Sequence, residues 1–355
     1  MKLKLTLLSF ACISLLFVSM WLGSPVRPVA WEPDKDKGLV SSFQMNDMLG
    51  ENLMYSLVTG KGPEDLFIDE KGWLYTGLES GEIIKINVNS DAPAPFLITN
   101  TLGRPLGIRK DKNGDLIVAD ADKGLLKVSM DGRIQVLEKY YGQDLFKFLD
   151  HLDIADDGVI YFSDASTRFS FNEYKYDFIE ASMTGRVFSY NPATKLTRLL
   201  VDNLYFANGV AVSKDQDYLL INETGKARIL KHYLRGPKAG QTEVFIDQLP
   251  GLPDNINRDD NGIYWVAINT LRDPLIDSLA QYPLIRRLIG VLPHSWLKAS
   301  HEYGMVIGIN EQAEIVHNLQ TSNAYTQITS AVPFGRSLYL GSLVHDDIGV
   351  VELHK

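Results

Sequence analysis

Three carboxylates and one carboxamide recur at nearly the same distance from the strand-like runs that follow them. Glu64 lies eleven residues before Tyr75, Asp150 eleven before Tyr161 and Asp254 eleven before Trp265, while Asn208 lies twelve before Leu220. If a pseudo-symmetric fold carries these positions to one axis, three carboxylates meet in a low-dielectric interior and repel one another strongly unless a cation sits among them. The donor set is oxygen only, without imidazole or thiolate, which suits a hard divalent ion, and Ca²⁺ accepts an irregular oxygen shell more readily than Mg²⁺. Backbone carbonyls and water would complete the shell. Singly, each of the four is an ordinary polar residue at the start of a strand; their shared register makes the set Glu64, Asp150, Asn208 and Asp254 a candidate metal site.

Asp254 carries two readings. It is a ligand only, or it also attacks an electrophile or deprotonates water. Four further residues are candidates for a substrate site: Asn255, beside Asp254 in "LPGLPDNIN"; His151, which follows Asp150 although strand neighbours face opposite sides; Glu223 in "NETGKA"; and His345 in "SLVHDDIG". No G-x-S-x-G elbow, phosphate-binding loop, H-E-x-x-H pair or dinucleotide fingerprint stands in a suitable context.

The elements that would position these residues are read from an internal repeat. "EKGWLYTGL", "KNGDLIVAD", "DDGVIYFSD", "DQDYLLINE", "DNGIYWVAI" and "FGRSLYLGS" share a turn followed by a short β-rich run. The anchors Tyr75, Ile117, Tyr161, Leu220, Trp265 and Tyr339 are separated by 42, 44, 59, 45 and 74 residues, so three intervals match one four-stranded propeller blade and two contain insertions. The expectation is an all-β, six-bladed β-propeller over 53–355 whose first strands line the channel, with a β-sandwich or two smaller β domains as the rival. The sixth repeat lacks an outer strand, and "LMYSLV" (Leu53 to Val58) is expected to supply it and remove the open edges. At the two remaining positions facing the axis the repeat places Leu106 and Ile328. Both insertions follow second strands, so both fall on the face where the metal set begins. The longer one contains "DPLIDSLAQYPLIRRLIGVL", amphipathic enough to close over the channel or to touch a bilayer.

The first 30 residues carry Lys2 and Lys4 and then an uncharged run from Leu5 to Leu22, just long enough for a membrane span. This segment is expected to be an uncleaved anchor, with a cleaved signal peptide as the alternative. The lysines place the body on the extracytoplasmic side, periplasmic, extracellular or lumenal, and secreted if cleavage occurs. Residues 31–52 then form a linker. The one cysteine, Cys12, lies in the apolar run, so the folded body has no thiolate. A net charge of -9 and the lack of any basic cluster exclude a nucleic-acid footprint and suit a cationic ligand.

Several segments resemble a known family. "GPEDLFID", "LDHLDIADDGVIYFSDAS", "YFANGVAVS", "NETGKARILKHYLRGPKAG" and "LPGLPDNINRDDNGIYWVAIN" are similar to strictosidine synthase-like propellers, particularly the adipocyte plasma membrane-associated protein group, and more remotely to gluconolactonases and paraoxonases. The resemblance implies Ca²⁺ ligands at Glu64, Asn208 and Asp254. The related hydrolases have Asn where Asp150 stands. It also implies that two catalytic devices are missing, because Leu106 occupies the place of a paraoxonase channel histidine and Thr329 that of the strictosidine synthase glutamate. The expected activity is calcium-dependent hydrolysis of a lactone or aryl ester; the alternatives are a non-catalytic, metal-stabilised propeller that binds a ligand or partner, and a carbon-nitrogen lyase.

Overall fold

Six four-stranded antiparallel sheets follow one another around a ring in this computed structural model, which describes Ser19 and residues 21–297 and 302–353. Blade 1 comprises Leu66–Ile68, Trp73–Gly77, Glu82–Asn87 and Pro95–Asn100. Blade 2 comprises Pro105–Lys110, Leu116–Asp120, Gly124–Val128 and Ile134–Glu138. Blade 3 is Leu149–Ile154, Ile160–Asp164, Gly185–Asn191 and Leu196–Leu204, and blade 4 is Ala207–Val212, Tyr218–Glu223, Arg228–Tyr233 and Thr242–Ile246. Blade 5 is Gly251–Arg258, Tyr264–Leu271, Gly304–Ile309 and Ile315–Thr321. Blade 6 is Ile328–Phe334, Ser337–Ser342 and Asp347–Glu352, completed on its outside by Leu53–Val58. That last strand runs antiparallel to Asp347–Glu352, with Leu57 opposite Ile348, so the ring is closed as the missing sixth-repeat strand required.

The repeated turn has a common chemistry. Asp69, Asp111 and Asp259 each accept two backbone N–H groups through one carboxylate oxygen, and Gly72, Gly114 and Gly262 take the left-handed conformation that closes each turn. In blade 4 Ser213 replaces the aspartate and Gln216 takes the left-handed position, with one extra residue in the turn. Val210 therefore pairs with Ile221, eleven residues on, where Leu152 pairs with Phe162, ten on. This accounts for the offset of Asn208 from the other three candidates.

Apolar side chains fill the six junctions between blades. Ile83 of blade 1 packs with Ile108 and Val118 of blade 2; Ala119 of blade 2 with Leu152 and Phe162 of blade 3; Val187 with Val210 and Ile221; Leu220 with Ile256 and Val266; Ala267 with Ala331 and Leu340; and Tyr339 with Leu66 and Leu74, closing the circle. The innermost strands exchange hydrogen bonds through side chains instead, described below.

Two insertions fold over the end of the ring where the first strands begin. The first carries Phe171–Glu173, entered through a Ser170–Glu173 capping box, and the helix Tyr174–Glu180. The second carries the helices Pro274–Leu279, capped by Asp273, and Pro283–Ile289, then a turn at His294–Trp296. The stretch 31–52 is packed rather than free. Trp31 meets Tyr205 edge-on, Leu39 and Phe43 lie on the junction of blades 4 and 5, Asn46 accepts from Gln320 N, and Leu49 is buried beside Leu319. The apolar run Leu5–Leu22 lies almost wholly outside the described residues; among the described residues no helix is long and apolar enough to cross a membrane.

Candidate channel site

Three of the four candidate residues lie where the inner strands bulge near their starts, while Glu64 precedes the regularly paired strand Leu66–Ile68. Regular pairing breaks between Leu149 and Leu152, between Ala207 and Val210, and between Pro253 and Ile256, so that Asp150, Asn208 and Asp254 sit in the irregular turn of strand rather than in the ladder. The same break occurs at Leu106, between Pro105 and Ile108, and near Thr329, between Ile328 and Ser330. Gly209 allows the strands to close up: a Cβ there would stand 2.6 Å from Asp254 O.

Glu64, Asp150, Asn208 and Asp254 are all buried, none more than 7% exposed. Asn208 Nδ2 donates to Asp254 Oδ1 at 3.0 Å, and Asn255 Nδ2 donates to Glu64 Oε1 at 2.9 Å. Asn222 Nδ2 holds the Asp254 carbonyl at 2.6 Å. Burial, then repulsion from Asp254 and Asp150, pushes the Glu64 carboxyl well above the usual range; burial and Asp254 do the same to Asp150. Asp254 is pushed up to about 7, chiefly by burial, with the Asn208 hydrogen bond opposing.

These residues fit a hard cation in one specific respect. Among the described residues no group of three or more His, Cys, Asp or Glu side chains is gathered closely enough to hold a metal ion. The carboxyl set is supplemented by amides, however, and Glu64 Oε2, Asn208 Oδ1, Asn222 Oδ1 and Asn255 Oδ1 are buried without a hydrogen-bond partner. Buried oxygens left without donors are costly, and a hard cation satisfies several at once.

Arg104 stands beside this set and escapes the repeat-based reading. It is buried, its Nη2 donates to Gly62 O at 3.0 Å, and its Nε and Nη1 have no partner. Its charge acts on both Glu64 and Asp150. The first insertion covers it, with the Phe171 ring 5.2 Å from the guanidinium, while Tyr174 lies close enough to Asp254 for that charge, after burial, to raise its phenol. The available signal was position: Arg104 precedes Leu106 by two residues, at the mouth of the blade 2 inner strand.

Of the four substrate-site candidates, Asn255 alone joins the carboxylates. His151 makes other contacts: its Nδ1 accepts from Val210 N at 3.0 Å and its Nε2 lies 3.0 Å from Arg109 Nη2. Glu223 is buried between Arg228 (2.5 Å), Lys226 (3.4 Å) and the backbone N–H of Tyr205. His345 stacks on Tyr325 and lies 3.7 Å from Asp347. These partners place His151 among the inner strands and Glu223 and His345 in ion-pair and stacking contacts outside the carboxylate set.

His151 belongs to a polar belt that binds every inner strand. Asp65 of blade 1 pairs with Arg109 of blade 2 at 2.7 Å; Arg109 reaches His151 of blade 3 and Asn257 of blade 5; Asn257 donates to Ser330 of blade 6; Ser330 returns to Asp65 at 2.9 Å; and Val210 of blade 4 donates to His151. Beyond the belt the channel opens on its opposite face in a cavity of ≈ 590 Å³, lined by Asp69, Arg109, Asp153, Asn257 and Phe334.

Fold and site together define a six-bladed propeller with a lidded, acid-lined end to its channel. The chain belongs to the strictosidine synthase-like family. The strictosidine synthase family model matches residues 150–237, and the model for the N-terminal part of strictosidine synthase-like proteins matches residues 42–86. Protein STRICTOSIDINE SYNTHASE-LIKE 6 of Arabidopsis thaliana is 36% identical, aligned over 82% of this chain and 79% of the relative. The adipocyte plasma membrane-associated protein of Danio rerio is 32% identical over 95% of this chain and 86% of the relative. Among solved structures, a gluconolactonase from Xanthomonas campestris superposes with a TM-score of 0.61 at 15% identity, covering 92% of this chain and 98% of its own, and the calcium-binding protein regucalcin from Agrobacterium tumefaciens gives 0.60 at 13% identity over 85% and 94%. At these identities the solved structures speak for the fold alone.

Proposed function

We propose that this protein is a metal-dependent hydrolase of lactones or aryl esters whose reaction takes place at the lidded end of the channel. The observation that carries the reading is the set of three buried carboxyl groups at Glu64, Asp150 and Asp254 with raised pKa values, beside amide oxygens that lack donors. Glu64, Asp150, Asn208 and Asp254 would hold a divalent cation, Ca²⁺ by the hardness of the donor set, and the ion would supply positive charge to polarise the substrate carbonyl.

Asp254 is the group on this chain suited to move a proton. Its carboxylate takes a proton from water as the hydroxyl oxygen adds to the acyl carbon; when the acyl C–O bond breaks, the same proton passes to the departing alkoxide or phenoxide. The unpartnered N–H groups of Arg104 are placed to orient the substrate's carbonyl or acid oxygen, and Phe171 and Tyr174 exclude bulk water above them. The gluconolactonase among the superposed folds supports this class of chemistry by analogy. The N-terminal apolar segment is read as a membrane anchor with the propeller outside the cytoplasm, a reading supported by the adipocyte plasma membrane-associated protein relatives.

A second reading is favoured by the depth of the site. With its carboxylates covered by the first insertion, the channel suits a structural ion and a propeller that binds a partner on its lidded face. Assay of the full chain against lactones and aryl esters, with calcium and with chelator, separates the two: chelator-sensitive turnover supports the hydrolase, and metal-dependent melting without turnover supports the binding propeller.

A further inference from the structure

The second insertion is inside out for a helix facing water. In Pro283–Ile289 the charged Arg286 is 4% exposed and spends its guanidinium on the carbonyls of Val29, Ile179 and Ala280, whereas Leu284 is 61% exposed and Ile285 44%. The neighbouring helix Pro274–Leu279 turns Leu275 and Ile276 outward, and Trp296 beyond them is 70% exposed. Scattered apolar residues are normal on a protein surface; a run of them on one insertion, with its arginine turned inward, marks an interaction surface.

What covers this face is indicated by the chain that leads into it. Arg287 Nε donates to Trp21 O at 3.1 Å with its guanidinium 4.1 Å from the Trp21 ring; Ser24 Oγ donates to Arg287 O at 2.7 Å; and Val26 is fully buried against Gly290. Residues 21–26 are thus strapped to the insertion, and Leu22 beside them is exposed. Immediately upstream the sequence is uncharged from Met20 back to Leu5, a length that as a helix, at ~1.5 Å per residue, reaches about 24 Å into a hydrocarbon core of about 30 Å. The point where the chain would leave a bilayer is therefore on the apolar face itself. Tyr282, Trp296 and Arg287 at its margin are the residue types that settle at the lipid headgroups.

We infer that the outer face of the second insertion docks on the lipid bilayer that holds the N-terminal segment, turning the Asp254 end of the channel towards the membrane. The occupant is lipid rather than a second copy of the chain, because the apolar face and the apolar N-terminal stretch are continuous. On the hydrolase reading proposed above, an ester or lactone dissolved in the bilayer reaches the channel without crossing water.

The test uses the full chain with Cys12→Ser, reconstituted in phosphatidylcholine vesicles containing phosphatidylserine. A nitroxide is attached in turn at Leu275→Cys, Leu284→Cys and Trp296→Cys, with Asn113→Cys in a turn at the opposite end of blade 2 as the reference. The readout is collision with oxygen, which concentrates in lipid, against collision with a water-soluble nickel chelate, and it needs no enzymatic activity. The expected result is an oxygen-to-nickel ratio several-fold higher at the three insertion sites than at Asn113, and a fall in the ratio at the Trp296 label when Leu284→Asp and Ile285→Asp are added. Water-like ratios at all three sites overturn the inference. So does shielding from both reagents with dipolar broadening that grows with the protein-to-lipid ratio, which is the signature of a second copy on this face.

Discussion

Asn208 Nδ2 donates to Asp254 Oδ1 at 3.0 Å, and the oxygen of the same buried amide is left without a partner. An amide that gives its proton to one carboxylate and turns its oxygen to no donor is what the proposed cation site requires. Calcium should therefore stabilise the fold, by ~2.7 kcal/mol at a hundredfold excess over Kd. Thermal melting with calcium and with chelator measures this. Asn208→Ala and Glu64→Gln should each shrink the difference; an identical melting temperature in both conditions for the unaltered chain would argue against an ion there.

The polar belt makes a separate prediction about stability. Asp65 is fully buried and held below the usual carboxylate range by Arg109 and His151 against the opposing effect of burial. Arg109→Leu strands that carboxylate and should cost about 3–5 kcal/mol in urea unfolding. Adding Asp65→Leu should restore part of the loss, since an unpaired buried charge is worse than none. A double variant as unstable as the sum of the two single variants would contradict this account.

Asp177, in the helix over the channel, is pushed up to about 7 by burial first, with Glu180 adding repulsion and the Ser166 hydroxyl opposing. A carboxyl raised on folding contributes its stabilisation fully below its unfolded value of 3.8 and loses it as pH rises through about 7. Melting temperature should thus fall between pH 5 and pH 8. In Asp177→Asn the amide stays neutral, so the protein should melt higher at pH 8 and show a flatter profile across that range; an unchanged slope would remove Asp177 from the explanation.

Ring closure depends on Leu53–Val58. A chain beginning at Thr59 leaves the Asp347–Glu352 strand as an open edge, where Ile348 and Val350 are fully buried in the intact fold. Such an edge pairs with other chains. Light scattering should show aggregation of the shortened chain under conditions where the intact chain, carried in the same detergent, stays dispersed.

The sequence disclosed what repetition encodes. The turn at Asp69–Gly72 recurs at Asp111–Gly114 and Asp259–Gly262, so counting back from each following strand reaches Glu64, Asp150 and Asp254 at one level, and the longer Ser213 turn explains why Asn208 needed one more step. The belt was not legible because its members are spread over three registers, Asp65 and His151 one residue after a channel position, Ser330 two, and Arg109 and Asn257 three, and only the ring brings them together. Asn255 and His151 each follow a channel residue within the same kind of pairing break, yet Asn255 reaches Glu64 whereas His151 reaches Val210 and Arg109, which alternation alone does not forecast. The strap at residues 21–36 was hidden for another reason. In contacts such as Arg27 N to the Glu180 carboxylate and the Arg272 guanidinium to Asp34 O, the strap takes part through backbone atoms, which leave little mark on its own residue types.

The most direct test of the central claim is the initial rate of hydrolysis of a lactone and aryl ester panel by the full chain, with calcium, with chelator, and with Asp254→Asn. The account predicts turnover of at least one substrate in calcium, lost both on chelation and in Asp254→Asn while the variant remains folded. Turnover that survives chelation and the substitution would contradict it, and a folded, calcium-stabilised protein with no turnover across the panel would replace the hydrolase with the binding propeller.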